Sequence, residues 1–180
     1  KSVITFLLVG LTGFQAVFAQ STVAEKLSDE ALLEKVQKQT FAYFWDFAHP
    51  VSGLARERSN TTFGYGNEVI TTGGSGFGIM AIVTGAERKW VTREEATDRL
   101  LKMVNFLLKA DHYHGIFPHW LNGETGKTIP FSRKDDGGDL VESSFLFQGL
   151  LTARQYFNRD TPKENELRNR INWLWNGAEW

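Results

Sequence analysis

Asp135, Asp139 and Glu142 fall in one short run, KDDGGDLVESSFLFQG (Lys134 to Gly149), at the start of an amphipathic helical pattern and directly after an aromatic-rich loop. Carboxylates so grouped suit the hydrolysis of a glycosidic bond. One carboxylic acid protonates the leaving oxygen, and a second carboxylate acts on the anomeric centre or on a water. Clustered acids also push one another's proton affinities apart, which lets one site supply both an acid and a base near neutral pH. Residues three apart on a helix have Cβ atoms ~5–6 Å apart, so Asp139 and Glu142 can face one ligand. A purely structural role is also open: with Asp139 at the N-cap, Glu142 occupies N3, and the two form a capping box with Asp in the Ser/Thr place. A capping pair does not require Asp135-Asp136-Gly137-Gly138 ahead of it, however, where the two glycines let the backbone approach a ligand. Inversion wants the two carboxyls ~6.5–9.5 Å apart and retention ~5–5.5 Å; sequence spacing leaves both open.

The loop before this run can supply a wall. Phe117, His119, Trp120 and Phe131 would form an apolar face, with Trp120 and Phe131 holding a sugar and Arg133 and His119 donating to its hydroxyls. Asp136, beside Asp135, is counted among the substrate contacts. The competing reading is a compact loop packed on its own rings. His112 and His114 lack a third ligand at suitable spacing, so neither a metal nor any other cofactor is assigned. The glycine run from Gly73 to Gly78 has no Gly-Lys-Ser/Thr ending and no strand–helix alternation around it. It fits close helix packing, or a backbone amide near a sugar with Ser75 as a contact. Arg56-Glu57-Arg58 reads mainly as a structural ion network, with Arg56 also a candidate substrate contact.

Five helical patterns must position these residues. The first spans Ser28 to Phe47, with Leu32, Leu33, Val36, Phe41, Phe44 and Phe47 at helical spacing and Asp29 and Glu30 in its first turn; His49-Pro50 ends it. The second, Ser75 to Gly85, is apolar on most faces and is expected to be an inner helix buried on nearly all sides. The third opens on Thr92 and Glu95 at capping-box spacing, with Ala96, Leu100, Val104, Leu107 and Leu108 on one stripe. The fourth runs from Asp139 to Phe157, and the fifth starts at Thr161, Pro162 and Glu164. Between the third and fourth, Asn122-Gly123 and Thr125-Gly126 signal a short hairpin or ordered loop within 112–134. Helix follows helix without repeated strands. The expected fold is all-α, with a nearly all-apolar helix among one-faced ones suggesting two concentric layers, as in an α/α barrel, or a plain bundle.

The balance of 20 basic and 21 acidic residues, without a basic cluster, argues against nucleic acid and for an uncharged substrate. Residues 1–19 read as a signal peptide: a basic start, an apolar stretch too short to span a bilayer, and small residues at Val17 and Ala19 before the cut. Residues 20–27 would be a linker and 28–180 the globular part. Export to a periplasm or beyond follows, with no membrane contact after cleavage. There is no cysteine to form a disulfide. The chain starts without Met and stops at Trp180, shortly after a helix whose Trp173 and Trp175 face nothing later in sequence could cover, so a fragment is expected.

FAYFWDFAHPVSGLARERS (Phe41 to Ser59), TTGGSGFGIMA (Thr71 to Ala81) and RKDDGGDLVESSFLFQGLL (Arg133 to Leu151), in that order, resemble the glucoamylase-like glycoside hydrolases, a family that includes bacterial endo-β-1,2-glucanases (family 144). The resemblance implies an (α/α)6 barrel of which this chain is the first five or so helices, the C-terminal remainder being absent. It implies hydrolysis of β-1,2-linked glucan without a metal, in a cleft where Asp135, Asp139 and Glu142 match the acidic motif, and by a monomer. It also implies further site residues beyond Trp180, so the fragment alone is expected to be inactive. Inversion is expected by analogy with other α/α-barrel glycosidases. Two rivals stand beside this: a non-catalytic glycan-binding protein of a polysaccharide uptake system, and an α/α-toroid lyase, which the lack of a basic groove for uronic acids disfavours.

Overall fold

The computed structural model describes residues 27–59, 62 and 66–180. The expected signal peptide, all but the last residue of the linker, and Asn60-Thr61 lie outside the described residues. Five helices, α1 (Asp29–Trp45), α2 (Thr72–Glu87), α3 (Arg93–Leu107), α4 (Leu140–Tyr156) and α5 (Pro162–Asn176), are joined by loops that also carry strands β1 (Val69–Thr71), β2 (Trp120–Asn122) and β3 (Thr128–Ile129). The chain is therefore mostly helical but not all-α: the strands form one antiparallel sheet in the order β1-β2-β3. No described helix is long and apolar enough to cross a membrane.

The β2–β3 hairpin is the one its turn residues predict. The Asn122 side chain accepts from Glu124 N–H at 3.0 Å and Thr125 N–H at 2.9 Å, and Gly126 takes the positive φ of 72° that closes the turn. Strand β1 corrects the expectation of helices alone. Ile70 pairs with Leu121, and both are fully buried, so this apolar pair fixes the sheet to the core. Ala55 and Glu57 extend it, through Thr71 N–H to Ala55 O at 3.1 Å and Glu57 N–H to Val69 O at 2.9 Å.

Helix α2 begins at Thr72, three residues before the expected Ser75, because the glycine run is helical. The glycines are there for contact. A Cβ on Gly76 would lie 2.1 Å from the Phe145 carbonyl oxygen, and one on Gly149 would lie 2.3 Å from the Gly76 oxygen, so α2 and α4 cross backbone to backbone. Gly85 and Gly78 in turn admit the rings of Phe41 and Phe44 from α1. Helix α2 thus packs on α1, α3 and α4, and α5 closes against α3 and α4. Its burial is less complete than expected, since Phe77 and Met80 remain exposed. Helix α1 departs further. Ser28 caps it, but it ends at Trp45, and Leu32, Leu33 and Val36 are open to solvent: Phe41 and Phe44 pack on α2, whereas the first half meets the end of α2 at the surface, through Glu34 and Arg88.

The α3 capping box forms as its sequence predicts, with Thr92 accepting from Glu95 N–H and Glu95 accepting from Thr92 N–H at 2.8 Å. Ala96, Leu100, Val104 and Leu107 are buried against α5, which starts at Thr161 with Pro162 in its first turn. Arg93 and Glu164 join the starts of these two helices.

Candidate active site

The geometry centres on His119. Its carbonyl accepts from Thr72 N–H at 3.1 Å, at the start of α2, while Asp139 N–H donates to Phe117 O at 2.8 Å and Pro118 bridges Gly138, at the start of α4. The buried Ser143 hydroxyl pins the same segment by accepting from Phe117 N–H at 2.8 Å. The ring is thereby carried to two carboxylates: His119 Nδ1 lies 3.1 Å from Asp139 Oδ2 and 3.6 Å from Asp135 Oδ2. All three side chains are partly open to solvent, at 24% for His119, 17% for Asp139 and 33% for Asp135, so a ligand can reach them. Asp139 divides its carboxylate: Oδ1 accepts from Val141 N–H at 2.9 Å and Glu142 N–H at 3.0 Å as the α4 N-cap, which leaves Oδ2 for His119. Asp135 closes a tight turn, donating from its N–H to Ser132 O at 3.1 Å and accepting from Phe131 N–H at 2.9 Å.

Glu142 does not complete a capping box, which corrects the structural alternative. The N–H it would take, that of Asp139, is already given to Phe117. Its Oε2 instead reaches α2, accepting from Gly73 N–H at 2.8 Å and from the Thr71 hydroxyl at 3.3 Å. Gly73 is the second residue of α2, so a carboxylate from one helix terminates the orphan amides of another, where the helix dipole favours an anion. A Cβ on Gly73 would sit 2.6 Å from that oxygen.

Phe131 stacks on His119 at a centroid distance of 4.1 Å with planes 20° apart, and meets the Trp120 ring edge at 4.8 Å and 65°. One face of Phe131 is covered, yet the residue is 48% exposed, so ring surface remains for a sugar. Phe117 is buried in the core and leaves the expected wall. Four other candidates take different places. Ser75 is fully buried, its hydroxyl donating to Thr71 O at 2.6 Å and accepting from Ala55 N–H at 3.1 Å, so it braces the loop and meets no ligand. Arg56 lies over the Phe47 ring at 4.6 Å, on the strand face it shares with Ile70. Arg133 and Asp136 are exposed, and no side-chain bond joins either to the cluster among the described residues. The reading of residues 56–58 as an ion network holds for Arg58, whose Nη2 donates to Glu57 at 2.8 Å.

Glu57, read with its neighbours as part of that network, also bears on the site. Its hydrogen bond from Arg58 holds its carboxyl below the ordinary carboxylate value against an opposing push from burial, and the charge of His119 adds to the lowering. Glu57 is thus within electrostatic reach of the site. Nothing in the local sequence separates it from a surface ion pair, since the strand that brings it there pairs residues far apart. His119, Asp135 and Asp139 each also offer one ligand atom within 4.8 Å of the others, a spacing that could hold a cation, unlike the His112 and His114 pair.

Carboxylates around a histidine, beside a half-open aromatic ring on a helical scaffold, have the chemistry to take a polyhydroxylated ligand. Fold and sequence alike relate this chain to the glucoamylase-like glycoside hydrolases, as its motifs imply. No family model matches it. It is similar to the exo β-1,2-glucooligosaccharide sophorohydrolase (non-reducing end) of Parabacteroides distasonis, 53% identical over 161 residues, which are 89% of this chain and 22% of that protein. Its fold is similar to the endo-β-1,2-glucanase of Chitinophaga pinensis, seen in complex with sophorotriose and glucose, at a TM-score of 0.83 and 52% identity over 86% of this chain and 38% of that one. A Bacteroides uniformis structure described as a candidate glucoamylase matches with a TM-score of 0.81 and 60% identity over 87% of this chain and 37% of that one. The chain therefore spans 22% to 38% of the length of these relatives.

Proposed function

We propose that this chain is the N-terminal part of a secreted glycoside hydrolase with an (α/α)6 barrel, which cleaves β-1,2-linked glucan by inverting acid/base hydrolysis. The observation that carries the reading is the convergence of Asp135 and Asp139 on His119 beside Phe131, in a chain half identical to a β-1,2-glucanase that binds sophorotriose. The Asp135 and Asp139 oxygens lie within 4.8 Å of each other, too close to bracket both a sugar and a water. They act from one side of the scissile bond, and the opposing group is Glu142 or a carboxylate outside these 180 residues. Glu142 or Asp139 serves as the acid or orients the attacking water, Asp135 assists, and Phe131 with Trp120 carries the sugar face. Export rests on the first nineteen residues, and N-terminal sequencing of the exported protein should find Gln20 first.

The test is to incubate the complete natural polypeptide with a panel of defined glucans and follow the anomer of the product by NMR. Product from β-1,2-glucan alone, with the anomeric configuration inverted, is expected. Product only from another linkage would move the substrate assignment, and binding without turnover would select a glycan-binding protein instead.

A further inference from the structure

The geometry points to His119 as a positioning residue: it carries a proton on Nδ1 and clamps Asp135 to Asp139, and does not donate to the sugar. This deepens the hydrolase reading and rests on it.

The ring has little freedom. Its backbone is held by Thr72 N–H at 3.1 Å, one face by Phe131 stacked at 4.1 Å, and Trp120 meets it edgewise at 5.8 Å. Within that slot Nδ1 is the nitrogen that meets both carboxylates, at 3.1 and 3.6 Å. An ionised carboxylate only accepts hydrogen bonds, and a neutral imidazole has one donor and one acceptor nitrogen. With the proton on Nε2, the Nδ1 lone pair would face two acceptor oxygens and every contact would be repulsive. With it on Nδ1, the N–H donates to Asp139 Oδ2 at 3.1 Å and turns its positive end toward Asp135 Oδ2 at 3.6 Å, and Nε2 is left with a lone pair. The neutral ring is then an acceptor on its free side, the reverse of the donor role expected from sequence.

The clamp matters most for Asp135. Asp139 is fixed independently, because its Oδ1 caps α4 through two backbone amides. The Asp135 carboxylate has no such support: its turn is held through the backbone alone, and among the described residues His119 is its side chain's one polar partner. The two acids are joined through Gly137-Gly138; Gly138 packs on Ile116 and Tyr113, on the side of the fixed Asp139, whereas a Cβ at Gly137, nearer Asp135, would meet nothing within 4 Å. Without a donor between them, two like charges separate, and the mobile one is Asp135.

Two variants of the complete polypeptide separate the roles. In His119→Asn the amide nitrogen takes the place of Nδ1 and keeps a donor that cannot titrate. In His119→Phe the stacking on Phe131 remains and the donor is lost. A misplacement of about 1 Å can cost on the order of 100-fold in rate, and loss of an interaction that serves only the transition state lowers kcat while leaving KM. His119→Phe should therefore lower kcat on β-1,2-glucan by about 100-fold with KM little changed, and His119→Asn should recover most of it. Equal damage in both variants, or a rise in KM with kcat kept, would overturn the clamp in favour of a direct sugar contact. Nitrogen-15 NMR of the wild-type imidazole gives a second readout that needs neither variant nor activity. Nδ1 should be the protonated nitrogen in the neutral ring, and a ring protonated on Nε2 sinks the inference. Should the wild type hydrolyse no glucan, the hydrolase reading fails, while the tautomer still decides whether the clamp exists.

Discussion

Two ends of this molecule gather charged side chains at helix starts, and they solve the problem in opposite ways. Where α3 and α5 begin, Glu164 accepts from Arg93 Nε at 2.7 Å and Nη2 at 2.9 Å and from Arg159 N–H at 2.8 Å, and Lys163 bridges Glu94 at 3.0 Å and Asp98 at 2.8 Å. Each of these carboxylates meets a cation. Where α2 and α4 begin, the ion pairs of the described residues bring no Lys or Arg to Asp135, Asp139 or Glu142, and one imidazole serves two acids. Neutralised charge holds helices together, whereas charge left without a fixed cation can be spent on a substrate proton. A surface cleft of about 500 Å³ lies at the balanced end, lined by Arg93, Arg159 and Lys163, yet the unbalanced chemistry is elsewhere. Cleft size and reactive potential are separate properties.

The comparison is tested most sharply by the same substitution at both ends. Glu142→Gln keeps an oxygen for Gly73 N–H but removes the charge, so in the complete polypeptide turnover should fall by roughly 100- to 10,000-fold, with thermal stability close to wild type. Glu164→Gln should do the reverse. Removing one partner of a buried ion pair costs about 3 kcal/mol, and activity per folded molecule should persist. Steady-state kinetics with thermal melts measures both, and equal activity losses would erase the distinction. Gly76→Ala attacks the crossing that presents Glu142 to α2. Its Cβ would sit 2.1 Å from the Phe145 oxygen, where only backbone movement can relieve it. Overpacking of this kind costs about 1–3 kcal/mol or more, and activity should fall with stability because α4 must shift. An alanine variant with wild-type melting would show that the crossing is looser than described.

Acid separates the two ends by a smaller effect. Burial pushes the Glu164 carboxyl up, but the bonds from Arg93 and Arg159 N–H outweigh it and hold the group below the ordinary carboxylate value. A carboxyl depressed on folding adds stability that is present above its unfolded value, about 4.3, and is lost as the pH falls through the lower folded value. The gap in melting temperature between wild type and Glu164→Gln should thus be constant from pH 7 to 5 and shrink below about pH 4. A gap unchanged at pH 3 would show that charge is not what Glu164 contributes.

What the sequence made legible follows from how far apart the deciding residues lie. The starts of α3 and α5 were readable because Thr92 with Glu95, and Thr161 with Pro162, decide matters within one turn. The hairpin was readable for the same reason at Asn122 and Gly126. Strand β1 was not, since three residues have no period of their own and its partner Trp120–Asn122 lies on the far side of two helices. Glu142 looked like the partner of Asp139 at capping-box spacing. Its real acceptor role is on Gly73, and only the α2–α4 crossing at Gly76 and Gly149 brings that amide near. Of the two readings the glycine run left open, close helix packing is the one that forms, and Ser75, expected beside a sugar, is buried in that helical contact. The acidic motif was legible, and its division of labour was not.

The smallest expected effect bears on what supplies positive charge at the unbalanced end. His119 Nδ1, Asp135 Oδ2 and Asp139 Oδ2 lie within 4.8 Å of one another, so a divalent cation could take the place of the proton between them. A transition-metal ion binds an imidazole nitrogen only through its lone pair, so it must first expel the Nδ1 proton, and its binding is opposed by whatever stabilises that proton. Two carboxylate acceptors at 3.1 and 3.6 Å stabilise it. Treatment of the complete polypeptide with a chelator should therefore change turnover by less than about twofold. Added zinc, which takes His and Asp as ligands, should inhibit, and the inhibition should weaken as the pH falls and protons compete for Nδ1. Loss of activity on chelation, restored by one metal, would make the two ends alike after all, each with a fixed cation holding its acids.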